Sequence, residues 1–411
     1  MGATTGMDIV VAGGGIGGLA AALAAARAGH RATVLERAAE FQELGAGIQL
    51  APNAFHALDD LGVGVQVRRR AVFTEELRLM DGVSGDVAVS LPLTGAYRKR
   101  FGNPYAVVHR GDLFQPLLQA CRRHPGVDLR ADHPVVGYEQ DGSGVRAVLA
   151  DGRRVAGDVL IGADGIRSAV RGQLIGDGAP RVSGHTIYRC VVPMGEVPED
   201  LRANRVTLWA GPKWHFVHYP IARGELLNLA ATIDDGASRA VVGEPVPTER
   251  VRNLFTRLPP VARRLLHLGR DWRTWVLCDR GRLDRWVDGR VALLGDAAHP
   301  MLQYAAQGAC MALEDAVVLG RVLGEPSTDV TALLERYNDV RRERAAFAQH
   351  VSTEIGTRLY HVEGEQARQR NAMLRGLSLS DLLDRVAPLH GSRGFGLPAA
   401  TRPTDLADAG H

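Results

Sequence analysis

The pattern of apolar positions divides the chain into stretches of different character. Short apolar runs first alternate with amphipathic segments, which is typical of parallel strands joined by helices. From Arg181 to Cys278, apolar and polar positions alternate and predict a block of strands. From about Arg290 the α/β pattern returns, and a long helical segment is predicted from Thr328 to Ala372. The chain therefore reads as an α/β protein with a β-rich block inserted into it.

The first apolar run opens a complete βαβ unit. The pattern predicts a strand at Met7–Ala12, a helix to about Ala28, and a second strand at Ala32–Leu35 that ends at Glu36. Between the first strand and the helix lies the sequence GGGIGG, which fits G-x-G-x-x-G. Such a turn lets the backbone approach a pyrophosphate, and the acid after the second strand binds a ribose hydroxyl. We therefore expect dinucleotide binding, with FAD and NAD both open; a Gly-rich turn without a ligand is the alternative.

Two later stretches have the same strand–turn–helix form. A buried strand ending at Gly162 leads into Asp164-Gly165, where the aspartate either serves the cofactor or only caps the next helix. The segment Arg290–Ala316 contains a strand, the turn Gly295-Asp296 and a helix from about Gln307. An acid at the carboxyl end of a strand, before a helix N-terminus, is how α/β proteins hold polar cofactors.

Charge and cysteine usage narrow the classes of function. The net charge is only +3, from 49 basic and 46 acidic residues, which gives no electrostatic support for nucleic acid as a partner. No apolar window is long enough for a membrane span, and we expect a cytoplasmic protein. The cysteines show neither disulfide nor zinc-site spacing, and no metal site is predicted; they are Cys121, Cys190, Cys278 and Cys310.

Three motifs in this order resemble those of the class A flavoprotein aromatic hydroxylases. They are GGGIGG with Glu36-Arg37, Asp164-Gly165, and GDAAHP beginning at Gly295. The resemblance implies a Rossmann-like, three-layer FAD-binding domain with an inserted β-sheet substrate domain and C-terminal helices. The FAD domain would comprise 1–75, 103–177 and 278–385, the substrate domain 76–102 and 178–277, and a tail 386–411. A homodimer is an expectation from the family alone.

The resemblance also assigns the cofactor residues. It implies FAD as the bound cofactor and NADH or NADPH as the electron donor, without choosing between the two. Arg110 would reach the FAD phosphates and Asp296 the ribityl–pyrophosphate region. The complete predicted set is Gly13, Gly15, Ile16, Gly17, Gly18, Glu36, Arg37, Gly47, Arg110, Asp164, Asp296, Gly308 and Ala309.

The candidate substrate residues lie in the inserted block. On a strand through KWHFVHY, the side chains of His215, Val217 and Tyr219 share one face, and His218 takes the other. His215 is the predicted base, with His218 and a purely structural His215 as alternatives. His215 and Gln303 match a pair found in 3-hydroxybenzoate 6-hydroxylases, whereas many relatives have proline at the second position. Tyr219, Val217 and Tyr105 are further predicted pocket residues.

The resemblance implies that one oxygen of O2 is transferred to a phenolic ring through a flavin hydroperoxide. The favoured reaction is para-hydroxylation of 3-hydroxybenzoate to 2,5-dihydroxybenzoate (gentisate). Hydroxylation of salicylate, 6-hydroxynicotinate or a natural-product ring is the alternative within enzymes. A different class, an FAD-binding reductase or sensor without oxygenase activity, is the second alternative. No arginine for a substrate carboxylate is evident from the sequence.

Overall fold

A computed structural model describes residues 6–42 and 45–397, which contain twenty strands and twelve α-helices. The strands are β1 (Asp8–Ala12), β2 (Arg31–Leu35), β3 (Gly47–Leu50), β4 (Val72–Phe73), β5 (Glu76–Asp81), β6 (Val87–Pro92), β7 (Ala106–His109), β8 (Val127–Arg130), β9 (Val135–Gln140), β10 (Val145–Leu149), β11 (Arg154–Gly157), β12 (Val159–Gly162), β13 (Arg181–Pro193), β14 (Arg205–Gly211), β15 (Trp214–Ile221), β16 (Leu226–Ala237), β17 (Val242–Pro245), β18 (Arg273–Asp279), β19 (Val287–Asp288) and β20 (Val291–Leu293). The helices are α1 (Ile16–Arg27), α2 (Pro52–Asp60), α3 (Gly64–Arg68), α4 (Ala96–Phe101), α5 (Arg110–Arg123), α6 (Ala169–Ile175), α7 (Thr248–Leu254), α8 (Pro260–Leu268), α9 (Gly308–Leu323), α10 (Val330–Glu354), α11 (Gly364–Arg375) and α12 (Leu379–His390).

A six-stranded sheet in the order β19-β20-β12-β1-β2-β8 forms the centre of the cofactor half. All its neighbours pair in parallel except β19 and β20. Strand β1 is apolar on both sides because both faces of the sheet are covered, one by helix α1 and the other by the antiparallel strands β9, β10 and β11. The chain leaves β1 for β2 on one side and later returns to β12 on the other. The carboxyl end of β1 is therefore a topological switch point, where such sheets bind ligands.

An eight-stranded sheet, β17-β18-β13-β16-β15-β14-β5-β6, forms the second half. Its pairs are antiparallel except β14 with β5, and helices α7 and α8, which the strand pattern did not predict, pack on its apolar core. The observed architecture confirms the predicted fold class. Because the strands of this sheet come from 76–92 and 181–279, we propose that the predicted domain boundaries lie in the connections flanking them.

The C-terminal helices differ from the prediction of one segment from Thr328 to Ala372. Helix α10 ends at Glu354, a π-helical stretch follows to Tyr360, and α11 begins at Gly364. Gly364 has φ +57°, a left-handed conformation that interrupts a right-handed helix. Helix α12 was not predicted, although a capping box of Ser378 and Asp381 marks its start. It extends to His390 and so takes in the beginning of the predicted tail 386–411, of which 398–411 lies outside the described residues.

A buried charge network joins α9 and α10 beneath the central sheet. Arg341 donates to Glu314 at 2.8 Å and to Asp315 at 2.7 Å, and all three side chains are fully buried. Arg344 forms a second salt bridge with Glu314, at 2.6 Å. Burial alone would raise the pKa of Asp315, but His299 and Arg341 lower it to about 2. Asp315 is therefore ionised, and its burial depends on the presence of its partners.

Replacing Arg341 with methionine should destabilise the protein severely. The substitution leaves the buried Asp315 without its arginine and Glu314 with Arg344 alone, and breaking a buried pair costs about 3–5 kcal/mol. Urea unfolding of the holoenzyme measures the loss. Arg342→Met is the matched control, because Arg342 lies on the same helix and its side chain remains partly exposed. Equal free energies of unfolding for the two variants would show that the network contributes little.

Candidate active site

The Gly-rich turn after β1 has the geometry of a pyrophosphate site. Gly15 is the N-cap of α1; no side chain caps the helix and its first turn carries no acid, so its N–H groups are left for a ligand. A Cβ at Gly15 would meet nothing within 4 Å. At Gly18, in contrast, a Cβ would come within 1.9 Å of the carbonyl oxygen of Gly13. The turn thus uses Gly18 to pack strand against helix and keeps open space at Gly15, which fits the diphosphate of FAD.

Glu36 stands at the end of β2, where it was predicted. Its carboxylate accepts from the backbone N–H groups of Gly14 at 2.7 Å and Ala38 at 2.9 Å. These bonds hold the carboxylate beside the Gly-rich turn, and a carboxylate has further lone pairs for ribose hydroxyls. Arg37 is exposed and does not line the cavity described below.

The loop after β20 completes the cofactor side. Gly295 begins a 3-10 turn with φ +62°, and its N–H donates to Asp315 at 3.1 Å. His299 contacts the same Asp315 carboxylate at 2.6 Å. The exposed side chain of Asp296 faces the cavity from this turn. The buried network therefore holds the backbone that presents Asp296.

Asp164 has a different position from the other predicted cofactor residues. Its Oδ2 accepts from the N–H groups of Ala169 at 2.8 Å and Val170 at 3.3 Å, at the start of α6. Burial raises the pKa of Asp164, and its Oδ1 has no hydrogen-bond partner among the described residues. Ala163 and Gly165 line the cavity, whereas Asp164 does not. The capping role that was left open is thus observed, and direct contact with FAD stays a prediction.

A cavity of about 360 Å³ lies between the two sheets. The turn before α1 and the N-terminus of α9 form its cofactor side, and β13, β15 and β16 form its substrate side. Twelve of the predicted residues line it: Gly15, Ile16, Gly17, Gly47, Arg110, His215, Val217, Tyr219, Asp296, Gln303, Gly308 and Ala309. A neighbouring cavity of about 830 Å³ shares Arg110, Arg189 and Asp296 with it.

Strand β15 places His215 in the cavity wall and His218 on the opposite face. The Nδ1 atom of His215 lies 2.8 Å from Nε2 of His361, and the two rings stack at 5.0 Å with an interplanar angle of 29°. Burial, followed by the nearby His361 and His185, holds the pKa of His215 well below its usual range. His215 is therefore neutral at pH 7, with Nε2 left for a ligand. His218 instead accepts from the indole N–H of Trp209 at 3.2 Å.

Gln303 lies opposite, on the short 3-10 helix before α9. Its Oε1 accepts a hydrogen bond from Nη2 of Arg189, a residue of β13 that the sequence reading did not select. With Oε1 engaged, the amide offers its two N–H groups to the cavity. Arg189 follows Ile187-Tyr188 and precedes an apolar run, and a charge inside an apolar strand was the available signal.

Tyr219 and Gly47 lie where the substrate sheet packs against the cofactor half of the protein. The N–H of Gly47 donates to Asn228 at 3.0 Å, and a Cβ at Gly47 would lie 2.5 Å from the Tyr219 ring. Burial raises the pKa of Tyr219 to about 12, so its hydroxyl is protonated at pH 7. The predicted pocket residue Tyr105 does not line the cavity; its hydroxyl donates to Gln49 at 2.6 Å, and Gln49 does line it.

Comparison with known proteins agrees with this arrangement. A family model described as "FAD binding domain" matches residues 6–353. A 3-hydroxybenzoate 6-hydroxylase of Aquipseudomonas alcaligenes is 48% identical, over 93% of this chain and 97% of that protein. One from Klebsiella oxytoca is 42% identical, over 94% and 96%. The solved structure of a salicylate hydroxylase substrate complex has a TM-score of 0.81 at 26% identity, covering 97% of this chain and all of that one (100%).

The chain belongs to this FAD-binding family and, within it, to the class A flavoprotein hydroxylases. It is a flavoprotein monooxygenase of aromatic rings that binds FAD and takes electrons from NAD(P)H, as the sequence predicted. The non-oxygenating reductase or sensor is thereby set aside. Within residues 6–42 and 45–397, no helix is long and apolar enough to cross a membrane.

Replacing Gly15 with alanine should weaken FAD binding without unfolding the protein. The φ of −75° suits alanine and the Cβ meets no protein atom, so stability should change by less than about 1 kcal/mol. The methyl group would occupy the space assigned to the diphosphate, and FAD should bind about tenfold more weakly or worse. Flavin fluorescence titration of the apoprotein measures this. Gly195→Ala, also in open space but lining neither cavity, should bind FAD normally. An unchanged affinity in Gly15→Ala would place the diphosphate elsewhere.

Proposed function

We propose that the protein hydroxylates 3-hydroxybenzoate at the ring position para to its hydroxyl, giving 2,5-dihydroxybenzoate. The observation that carries the proposal is that His215, Gln303 and Tyr219 face one cavity beside the Gly-rich turn. Relatives aligned over nearly their full length at 42–48% identity have the name of this activity. Salicylate hydroxylation is the competing reaction, because a salicylate hydroxylase shares the fold.

The protein has to make the ring electron-rich. Bound FAD, reduced by NAD(P)H, supplies the activated oxygen; the protein positions the ring and removes the phenolic proton. A phenol with a pKa of about 10 lies about three units above neutrality, so its ionisation at pH 7 needs about 4 kcal/mol. The neutral His215 can accept the proton at Nε2, while Nδ1 remains tied to His361. His215 is thus the proposed base.

Gln303 would stabilise the resulting phenolate. Because Arg189 engages Oε1, the amide N–H groups are the atoms that reach the substrate oxygen. A donor to an anionic oxygen forms a charge-assisted bond, which is about twice as strong as a neutral one. The protonated Tyr219 hydroxyl is a second donor in the same wall. The polarity of the cavity therefore favours the ionised substrate.

The cytoplasmic location and the homodimer that the sequence led us to expect are part of the same proposal. The cysteines of the described part of the chain are all free, which suits a reducing cytoplasm. A homodimer stays a prediction from the family.

Product identification tests the reaction. The holoenzyme, supplied with NADH, oxygen and 3-hydroxybenzoate, should form 2,5-dihydroxybenzoate in step with NADH consumption. Chromatography of the products distinguishes this isomer from 2,3- and 3,4-dihydroxybenzoate. Salicylate supplied in parallel should yield no catechol. Turnover of salicylate, with none of 3-hydroxybenzoate, would replace the proposed substrate.

Replacing His215 with asparagine should retain FAD and lower kcat/KM at pH 7 by about 100-fold or more, as expected for loss of a general base. The depressed pKa keeps His215 neutral below its ordinary pKa of about 6.5, so the wild-type rate should not fall there on its account. In the variant, substrate ionisation must occur unaided, and the rate should rise about tenfold per pH unit toward a pKa of about 10. His218→Asn, on the opposite strand face, is the control and should keep the wild-type profile. A wild-type profile for His215→Asn would remove His215 from the mechanism.

A further inference from the structure

Arg189 is a partly buried cation that has no counter-ion among the described residues. Among the residues that the structure describes, four arginines are more than nine-tenths buried, and each pairs with a carboxylate: Arg171 and Arg280 with Asp177, Arg341 with Glu314 and Asp315, and Arg370 with Asp81. No carboxylate among the residues that the structure describes lies within ion-pair distance of Arg189. Its Nε has no solvent contact and no hydrogen-bond partner there. An ionised group held in this way is costly unless a ligand completes it.

The surroundings of Arg189 fix the guanidinium at the cavity wall. Nη2 donates to Gln303, and the guanidinium carbon lies 5.9 Å from the centre of the Trp275 ring. Burial lowers the pKa of Arg189, and the charge of Arg110 lowers it further. Arginine nevertheless stays protonated in proteins, so the site presents a permanent positive charge to the cavity. The ligand that fits is an anion with two acceptor oxygens.

We propose that Arg189 binds the carboxylate of the aromatic acid and selects acids over neutral phenols. This inference rests on the proposed function for the identity of the ring, and it adds the group that the sequence reading could not find. The guanidinium lines the cavity, and its remaining Nη N–H groups are donors that a carboxylate accepts. Gln303 beside it takes the phenolic oxygen.

The adjacency of Arg189 and Gln303 also bears on the position of the substituents. Substituents in a 1,3 relation leave the same side of a benzene ring, and neighbouring side chains can bind both. Substituents in a 1,4 relation leave from opposite ends and would need groups on opposite walls. Arg189 and Gln303 are in direct contact, so they suit an acid whose hydroxyl is ortho or meta to the carboxylate and disfavour a para-hydroxylated one.

Binding of unreactive probes tests the charge preference without relying on turnover. Benzoate and benzamide have the same shape and differ in charge, and the flavin absorbance of the holoenzyme reports their binding. Wild type should prefer benzoate. Arg189→Met should weaken benzoate binding about 100-fold more than benzamide binding, in the range expected for a charge-assisted bond. Arg189→Lys, which keeps the charge but not the planar fork, should show an intermediate loss and remains informative should the methionine variant not fold.

Arg205→Met is the matched control, because Arg205 is a half-buried arginine of the same sheet that lines neither cavity. It should keep the wild-type preference. Equal losses of benzoate and benzamide in Arg189→Met would overturn the proposal, as would an unchanged preference. Weakened FAD binding with an unchanged preference would assign the cation to the cofactor and overturn it as well.

Turnover then separates this inference from the proposed reaction. The substrates to compare are 3-hydroxybenzoate and 3-hydroxybenzamide. If the Arg189 substitution also disturbs Gln303, turnover of both substrates is affected, so the ratio of their kcat/KM values reports the contribution of the carboxylate. That ratio should fall about 100-fold in Arg189→Met. The two proposals can also fail separately. If the wild type forms no 2,5-dihydroxybenzoate, but Arg189→Met still loses the preference for benzoate that the wild type shows, only the proposed function is contradicted.

Discussion

The buried contact of Arg341 with Glu314 and Asp315 underlies the geometry of the whole cofactor side. Asp315 receives the N–H of Gly295 and the ring of His299, so it holds the loop that presents Asp296. Glu314 accepts from Asn53 at 2.7 Å and thereby ties in α2. A low interior dielectric makes such a network stiff when every partner is present. The loop that carries Asp296 is therefore held in place by buried charged residues that do not themselves line the cavity.

The fold could be predicted from the sequence wherever one local rule decided the structure. The βαβ unit at the N-terminus and the strand before Gly295 can be predicted because each has an apolar run directly followed by a glycine-containing turn. The helices of the inserted block were not predicted, because α7 and α8 are short and lie between the strands β17 and β18. The division of the C-terminal helices was also not predicted, since it depends on one left-handed glycine and on packing around Tyr304.

The part of the site that depends on local sequence pattern could also be predicted. Period two along β15 places His215, Val217 and Tyr219 on one face without any knowledge of the tertiary structure. The pairing of His215 with His361 joins residues 146 positions apart, and that of Arg189 with Gln303 joins residues 114 apart. No local pattern reveals such contacts. Asp164 shows the converse limit: its motif is evident, yet the carboxylate turns toward α6.

The close approach of Gly47 to Tyr219 has a consequence for how such enzymes diverge. The strand that carries Gly47 belongs to the cofactor half, and the substrate sheet enters the chain in two separate pieces, 76–92 and 181–279. A single crossover between two genes cannot exchange the substrate sheet as a unit, and a foreign sheet would have to reproduce the fit against a residue without a side chain. New substrate ranges are thus more accessible by replacing individual wall residues than by shuffling modules.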